Sequence, residues 1–118
     1  MDSLTYTPTG VTAREVGEKL DQVWNELNKP GSPLAERAQS LQVDLSQVKG
    51  KSRADLVTVN EQGSGLAPAT TAIIVAFAPT AAKILRDLWD RILLPRILHD
   101  LGSDSLTPKK RLEDRKSS

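Results

Sequence analysis

The stretch LAPATTAIIVAFAPTAAKILRDLWDRILLPRILHDL (residues 66–101) holds the longest apolar run of the chain and decides how the rest of it is interpreted. Charged side chains are absent from residue 62 to residue 82, an interval about as long as the roughly 20 apolar residues that a helix needs to cross a bilayer. Alanine, threonine, proline and glycine dominate the interval, however, and each strongly apolar residue contributes only about 0.5 kcal/mol to insertion. Length therefore permits a membrane span, whereas composition argues against one.

Apolar side chains recur at helical spacing along this stretch, which predicts a helix over residues 69–94. Pro79 lies inside this helix and is expected to kink it, because proline lacks an amide donor and clashes with the preceding turn. Pro95 is expected to interrupt the helix again. A short helical piece over residues 96–101 then ends at Gly102, since glycine is a favoured residue just beyond a helix C-terminus.

We expect the predicted helix to pack against another surface, and the sequence is compatible with three environments for it. A helix packed in a soluble core is favoured, and a transmembrane or an interfacial helix are the alternatives. Trp89 suits a membrane interface or a partner contact as well as core packing, because its indole has both an apolar body and a polar tip. The residues predicted to contact a membrane or a partner are Ile73, Ile74, Phe77, Ile84, Leu85, Leu88, Trp89 and Ile92.

Positive charge is concentrated towards the C-terminus of the chain. Residues 83–118 carry nine Lys and Arg against six Asp and Glu, whereas residues 1–82 carry seven against nine. This asymmetry favours a contact with an anionic lipid or protein surface at the C-terminal end. Asp87 and Arg91 have the i,i+4 spacing of a weak exposed ion pair, which is the simplest interpretation of that face of the helix. The residues predicted to make the anionic contact are Arg91, Arg96, Lys109, Lys110 and Arg111.

The N-terminal part of the chain predicts alternating short elements. Residues 3–9 alternate weakly in hydropathy, which suits a short strand or an extended arm that ends at Gly10. Thr12 and Glu15 have the spacing of a capping box, and the apolar residues behind them predict a helix over residues 13–28. A serine followed by a proline then predicts a helix start, and further segments are predicted as a helix over 33–40 and strands over 41–48 and 55–60.

Together these segments predict an α+β fold that is predominantly helical. We expect a small α+β head at residues 1–62, followed by a glycine hinge around Gly63–Ser64–Gly65. The apolar and then amphipathic helical region, with its long proline-kinked helix, occupies residues 63–102. Residues 103–118 are polar and basic with few apolar side chains, so we expect a disordered tail there.

Several classes of functional site are excluded by composition. The chain has no cysteine and one histidine, His99, which rules out thiolate sites and histidine-based metal triads. Gly63–Ser64–Gly65 lacks the Gly-Lys-Ser/Thr ending of a phosphate-binding loop. The basic tail has no aromatic side chain for stacking on bases, and the net charge is only +1, so no nucleic-acid partner is expected. We predict no cofactor and no small-molecule substrate.

The sequence therefore predicts a non-catalytic accessory or interaction protein that docks through residues 69–101, and docking on or in a membrane is one form of this hypothesis. The alternative hypothesis is a soluble homo-oligomeric or partner-binding module in which the same helix forms the buried seam. A signal peptide is not recognisable, because the first ten residues are neither basic nor apolar. An intracellular location is therefore expected, in the cytoplasm or on the cytoplasmic face of a membrane.

Overall fold

The computed structural model describes residues 3–46, 48–62 and 72–108. The strands are β1 (Ser3–Pro8), β2 (Val57–Gln62), β3 (Ala72–Phe77) and β4 (Leu106–Pro108). The helices are α1 (Ala13–Leu27), α2 (Pro33–Ser40), α3 (Arg53–Leu56), α4 (Ala82–Leu88) and α5 (Leu94–Leu101). A 3₁₀ turn at Pro79–Ala81 precedes α4, and a π-helical segment at Trp89–Leu93 joins α4 to α5.

The four strands form one antiparallel sheet in the order β2-β3-β1-β4. The chain runs β1, α1–α3, β2, β3, α4–α5, β4, so two β-α-β units are interleaved around the central pair β1 and β3. This element order and this strand order together are the split βαβ, or ferredoxin-like, arrangement. The α+β class predicted from the sequence is confirmed, and strands from residues 3–62 and from residues 72–108 share the same sheet.

The most apolar run of the chain is a strand, so the helix predicted over residues 69–94 is wrong at its N-terminal end. Ile73, Val75 and Phe77 of β3 are buried at 0, 0 and 2% exposure, whereas the residues between them are partly exposed. This alternation is the period of two that a sheet covered on one side requires. The spacing of four between Ile73 and Phe77 fits both a helix and a strand, because four residues are also two strand repeats. Pro79 does not kink a helix but begins the 3₁₀ turn before α4.

The helical backbone continues through Pro95, where an interruption was predicted. Proline lacks an amide donor and its ring crowds the carbonyl four residues earlier, so a regular α-helical hydrogen bond cannot form there. The backbone widens instead, and the Leu94 N–H donates to the Trp89 carbonyl five residues back. The helix ends as predicted at Leu101, with Gly102 adopting φ 119°, where a side chain would be strained.

Local signals identified the two N-terminal helices correctly. Thr12 and Glu15 form the predicted capping box, in which the Thr12 hydroxyl accepts from the Glu15 N–H and the Glu15 carboxylate accepts from the Thr12 N–H. Helix α2 has the predicted bounds, with the Ser32 hydroxyl accepting from the Ala35 N–H. The strand predicted over 55–60 is found as β2, shifted by two residues, after the single turn α3.

The strand predicted over residues 41–48 is wrong in the part that is described. Val43 and Val48 are buried, but they lie in turns and irregular backbone, and Gln42 adopts φ 59°. The left-handed Gln42 follows the C-terminal residues of α2, as is common where a helix ends, and the described residues after it up to Arg53 form no strand. Of the alternating residues Leu41, Val43 and Leu45, only Val43 is buried and Leu41 is 38% exposed, so the strand-like pattern does not correspond to one buried face.

The core lies between the helices and one side of the sheet. Trp89 is buried at 0% and its indole Nε1 donates a hydrogen bond of 2.8 Å to the Tyr6 hydroxyl. The Phe77 ring meets the Trp89 ring edge-on, with 6.3 Å between centroids. Trp24 of α1 donates from its indole to the Lys51 carbonyl at 3.0 Å, which fixes the loop before α3.

Part of the predicted disordered tail is ordered. Residues Leu106–Pro108 pair with β1 as strand β4, and Leu106 is buried at 3%. A single apolar residue opposite Pro8 supplies the contact that the polar composition did not indicate. The rest of the predicted tail, residues 109–118, and the predicted hinge at Gly63–Ser64–Gly65 lie outside the described residues. Within the described part of the chain, no helix combines the length and the apolar character that crossing a membrane requires.

Candidate interaction site

The structure places most of the predicted docking residues in the chain's own core. Ile74 lies on the side of β3 away from the helices, and Ile84 lies on α4; both are partly exposed. The other six are 2% exposed or less, so in this fold they pack against the sheet and the neighbouring helices and do not form an outward docking face. These buried residues are Ile73, Phe77, Leu85, Leu88, Trp89 and Ile92.

The predicted cationic residues fall into two groups. Arg91 binds Asp87 at 3.3 Å, as the i,i+4 spacing suggested, and also donates to the Leu41 carbonyl at 2.9 Å. Its guanidinium therefore ties the π-helical segment to the end of α2. Arg96 lies at the rim of a groove described below. Lys109, Lys110 and Arg111 lie outside the described residues.

A groove of about 350 Å³ runs between α2 and the helical segment that ends in α5. We call it the α2/α5 groove. Its floor is apolar, because Leu34 and Ile92 are 5 and 1% exposed, and its rim is basic. A second depression adjoins it on the α2 side and shares Leu34, Arg37 and Arg96. The residues that line the α2/α5 groove are Leu34, Arg37, Ile92, Pro95, Arg96 and His99.

Arg96 is held in place by two carboxylates. Its Nη1 and Nη2 donate to the two Glu26 oxygens at 3.1 and 3.3 Å, and its Nε donates to Asp100 at 3.2 Å. The hydrogen bond to Asp100, more than the charge of Glu26, raises the pKa of Arg96. A side chain fixed in this way loses little further conformational entropy when it binds a ligand.

Asp100 is the shared carboxylate of this cluster. Contact with the His99 ring, with Nδ1 3.1 Å from Oδ1, is the main cause that lowers the pKa of Asp100, and Arg96 and Lys19 act in the same direction. Lys19 of α1 lies 3.5 Å from Asp100. The cluster joins α1 to α5 and keeps one wall of the α2/α5 groove in a fixed position.

Arg37 stands on the opposite rim of the groove and differs from Arg96 in its surroundings. Its side chain is exposed, and no ion pair is formed by it with any residue in the described ranges. Leu34 and Arg37 are three residues apart on α2 and therefore share one face of that helix. The groove thus offers one fixed and one unpaired guanidinium above an apolar floor. This arrangement suits a carboxylate carried beside an apolar group.

Sequence reasoning named Arg96 but missed Leu34 and Arg37. The signal was present, because an apolar and a basic residue three positions apart on a short capped helix lie side by side. The sequence does not indicate that Arg37 lies opposite Arg96. The two residues come together only because α2 packs against the π-helical segment.

The described residues contain no group of three or more His, Cys, Asp or Glu side chains placed to hold a metal ion. No protein-family model, curated protein or solved structure matches the chain.

Proposed function

We propose that the protein is a non-catalytic interaction protein that binds an acidic peptide segment of a partner protein in the α2/α5 groove. The observation that supports this most is the placement of Arg37, which has no carboxylate partner among the described residues, opposite the fixed Arg96. A guanidinium pair of this kind favours a carboxylate, because charge-assisted hydrogen bonds are about twice as strong as neutral ones.

Arg96 keeps donors for a ligand although two carboxylates already bind it. A guanidinium carries five N–H donors, and three of them are used by Glu26 and Asp100. Two donors, one on each Nη atom, are left. A ligand carboxylate between Arg96 and Arg37 would therefore receive hydrogen bonds from one preorganised and one exposed guanidinium.

The size of the groove limits the ligand. A volume of about 350 Å³ is near the lower end of ligand sites, so it holds one or two side chains of a peptide and not a folded surface. The buried Leu34 and Ile92 at its floor favour an apolar side chain next to the carboxylate. The ligand we expect is an acidic stretch in which leucine-like and acidic residues alternate.

This proposal keeps the C-terminal helical region as the docking element but changes the residues that make the contact. Ile92, Pro95, Arg96 and His99 come from residues 69–101, and α2 supplies the other wall. The membrane form of the earlier hypothesis is not part of the proposal, because six of its apolar contact residues are buried in the core.

A binding titration with a defined peptide tests the proposal. The probe is a fluorescein-labelled, amidated peptide of alternating glutamate and leucine, and a peptide with lysine in place of glutamate is its matched counterpart. We expect the acidic probe to bind the full-length chain and Arg37→Gln to weaken binding about tenfold, since a hydrogen bond to a charged group contributes about 1.5–3 kcal/mol.

Arg14→Gln is the control variant, because it removes the same charge at an exposed α1 position that does not line the groove. It should change the affinity by less than about twofold. The proposal is overturned if the acidic probe does not bind, if Arg37→Gln binds it as tightly as the wild type does, or if the lysine probe binds equally well.

A further inference from the structure

Among the strands that the structure describes, β2 is at one end of the sheet, and the main-chain groups on its outer edge follow a defined pattern. In an antiparallel pair, successive residues direct their N–H and C=O groups alternately towards and away from the neighbouring strand. The Ala78 N–H donates to the Leu56 carbonyl at 2.8 Å, so Leu56 faces β3. Two-residue alternation then places the main-chain groups of Val57, Val59 and Glu61 on the free edge.

Arg53 satisfies the first of these three residues. The Val57 N–H donates to the Arg53 carbonyl, and the Arg53 guanidinium donates to the Val57 carbonyl at 2.9 Å. Asp21 of α1 holds the same guanidinium at 2.8 Å. The main-chain groups of Val57 are thus already occupied, which also confirms the direction in which they point.

Val59 and Glu61 are left with open groups. Within the described ranges, neither their outward N–H groups nor their outward carbonyls have a hydrogen-bond partner. Four main-chain groups on two residues of one strand therefore face outward together. A row of this kind is a template for another strand.

The edge of β2 carries one feature that disfavours strand addition, the charged side chain of Glu61, whose carboxylate accepts from the Ala13 N–H at 3.4 Å, and it lacks the stronger ones. Its sequence VTVNEQ contains no proline, glycine, lysine or arginine. The other end strand, β4, comprises Leu106–Pro108 in the described part of the chain and contains Pro108, which has no amide donor. On the side of the sheet away from the helices, β2 presents Thr58, Asn60 and Gln62, none of them charged.

We propose that a second copy of this chain adds to the β2 edge, so that the two sheets join into one of eight strands. The two β2 strands run antiparallel around a two-fold axis at Asn60. Val59 of each copy then exchanges both main-chain hydrogen bonds with Glu61 of the other copy. All four open groups on each copy are satisfied in this register, and the contact is isologous, as a closed dimer requires.

Neighbouring registers satisfy fewer groups. An axis at Val59 pairs Glu61 with Val57 of the second copy, whose main-chain groups are already bound by Arg53. Only the bonds between the two Val59 residues would form. The Asn60 register also places no like charges directly opposite each other, because Asn60 faces Asn60 and Thr58 faces Gln62 of the second copy.

Sedimentation equilibrium of charge-swapped variants tests this dimer. At the axis the two Asn60 Cα atoms are about 4.5 Å apart, because they form a non-hydrogen-bonded pair. Asn60→Lys or Asn60→Asp alone therefore places two like charges together and should raise the dimer dissociation constant at least about tenfold. An equal mixture of the two variants should recover wild-type association, since unlike charges then face each other.

Thr107→Lys on β4 is the control, because it adds the same charge to the same side of the sheet away from the proposed axis. Amide exchange provides an independent readout: the Val59 and Glu61 amides should become protected as the protein concentration rises. A wild-type chain that stays monomeric overturns the dimer, and so do an Asn60→Lys variant that still associates or a mixture that does not recover. None of these outcomes bears on the α2/α5 groove, which lies on other elements.

Discussion

Trp89 is a core residue although its sequence position suited a surface contact equally well. Its indole was expected to suit a membrane or partner contact as well as the core, but the Tyr6 hydroxyl accepts its N–H at 2.8 Å inside the protein. A buried indole needs such a partner. The two residues are 83 positions apart, so no local pattern could have paired them.

Replacing Tyr6 by phenylalanine tests this contact. The ring and its packing stay, but the Trp89 N–H loses its acceptor in the core. We expect Tyr6→Phe to lower the free energy of unfolding by about 1–3 kcal/mol, the usual cost of an unsatisfied buried donor, measured by urea denaturation. Thr7→Ala, at an exposed position of the same strand, should change it by less than about 0.5 kcal/mol. Equal stability of Tyr6→Phe and the wild type would contradict the buried hydrogen bond between Trp89 and Tyr6.

The pH dependence of the same variant provides a second readout. Burial raises the pKa of Tyr6, so the folded chain retains a proton that the unfolded chain releases near the ordinary tyrosine value of about 10. The stability contributed by the neutral hydroxyl is therefore complete below about pH 10 and is lost as the pH rises through the higher folded pKa. Wild type should lose stability between pH 9 and 11 more steeply than Tyr6→Phe. If the free energy of unfolding of the wild type and of Tyr6→Phe fell in parallel over this pH range, the raised pKa of Tyr6 would be contradicted.

Among the elements, β3 is where the sequence was most misleading. Local signals such as the capping box at Thr12 and the serine and proline that begin α2 depend on residues close in the chain, and they predicted α1 and α2 correctly. A strand is decided by pairing with distant segments, and β3 pairs with β1 and β2. The apolar run matched the pattern of an amphipathic helix because the spacing of four between Ile73 and Phe77 fits the helical period and is also two strand repeats.

Two neighbouring substitutions distinguish a strand from a helix at this position. Ile73 is 0% exposed and faces the helices, whereas Ile74 is partly exposed on the other side of the sheet. We expect Ile73→Ala to lower the free energy of unfolding by about 2–5 kcal/mol, because it leaves a cavity in the core. Ile74→Ala should cost less than half as much. Chemical denaturation measures both, and equal costs would contradict the strand and its register.

At the scale of the whole molecule, the sheet joins what the sequence divided into a head and a helical region. Strand β3 lies between β2 and β1, and β4 closes the sheet from within the predicted tail. Local segment patterns predicted the α+β class, but the split βαβ topology depends on long-range register, which no segment encodes by itself. The same limit applies to the candidate site, where Arg96 was recognisable from the sequence but its position opposite Arg37 across the α2/α5 groove was not.

The central claim is that the exposed α2/α5 groove, and not the buried apolar stretch, makes the contact with a partner. The most direct measurement is a chemical-shift titration of the isotope-labelled full-length chain with the acidic glutamate–leucine probe. The account predicts shifts centred on the amides of Leu34, Arg37, Ile92, Arg96 and His99, with β3 unchanged. Shifts centred on β3 or on the outer side of the sheet, or no shifts at all, would contradict it.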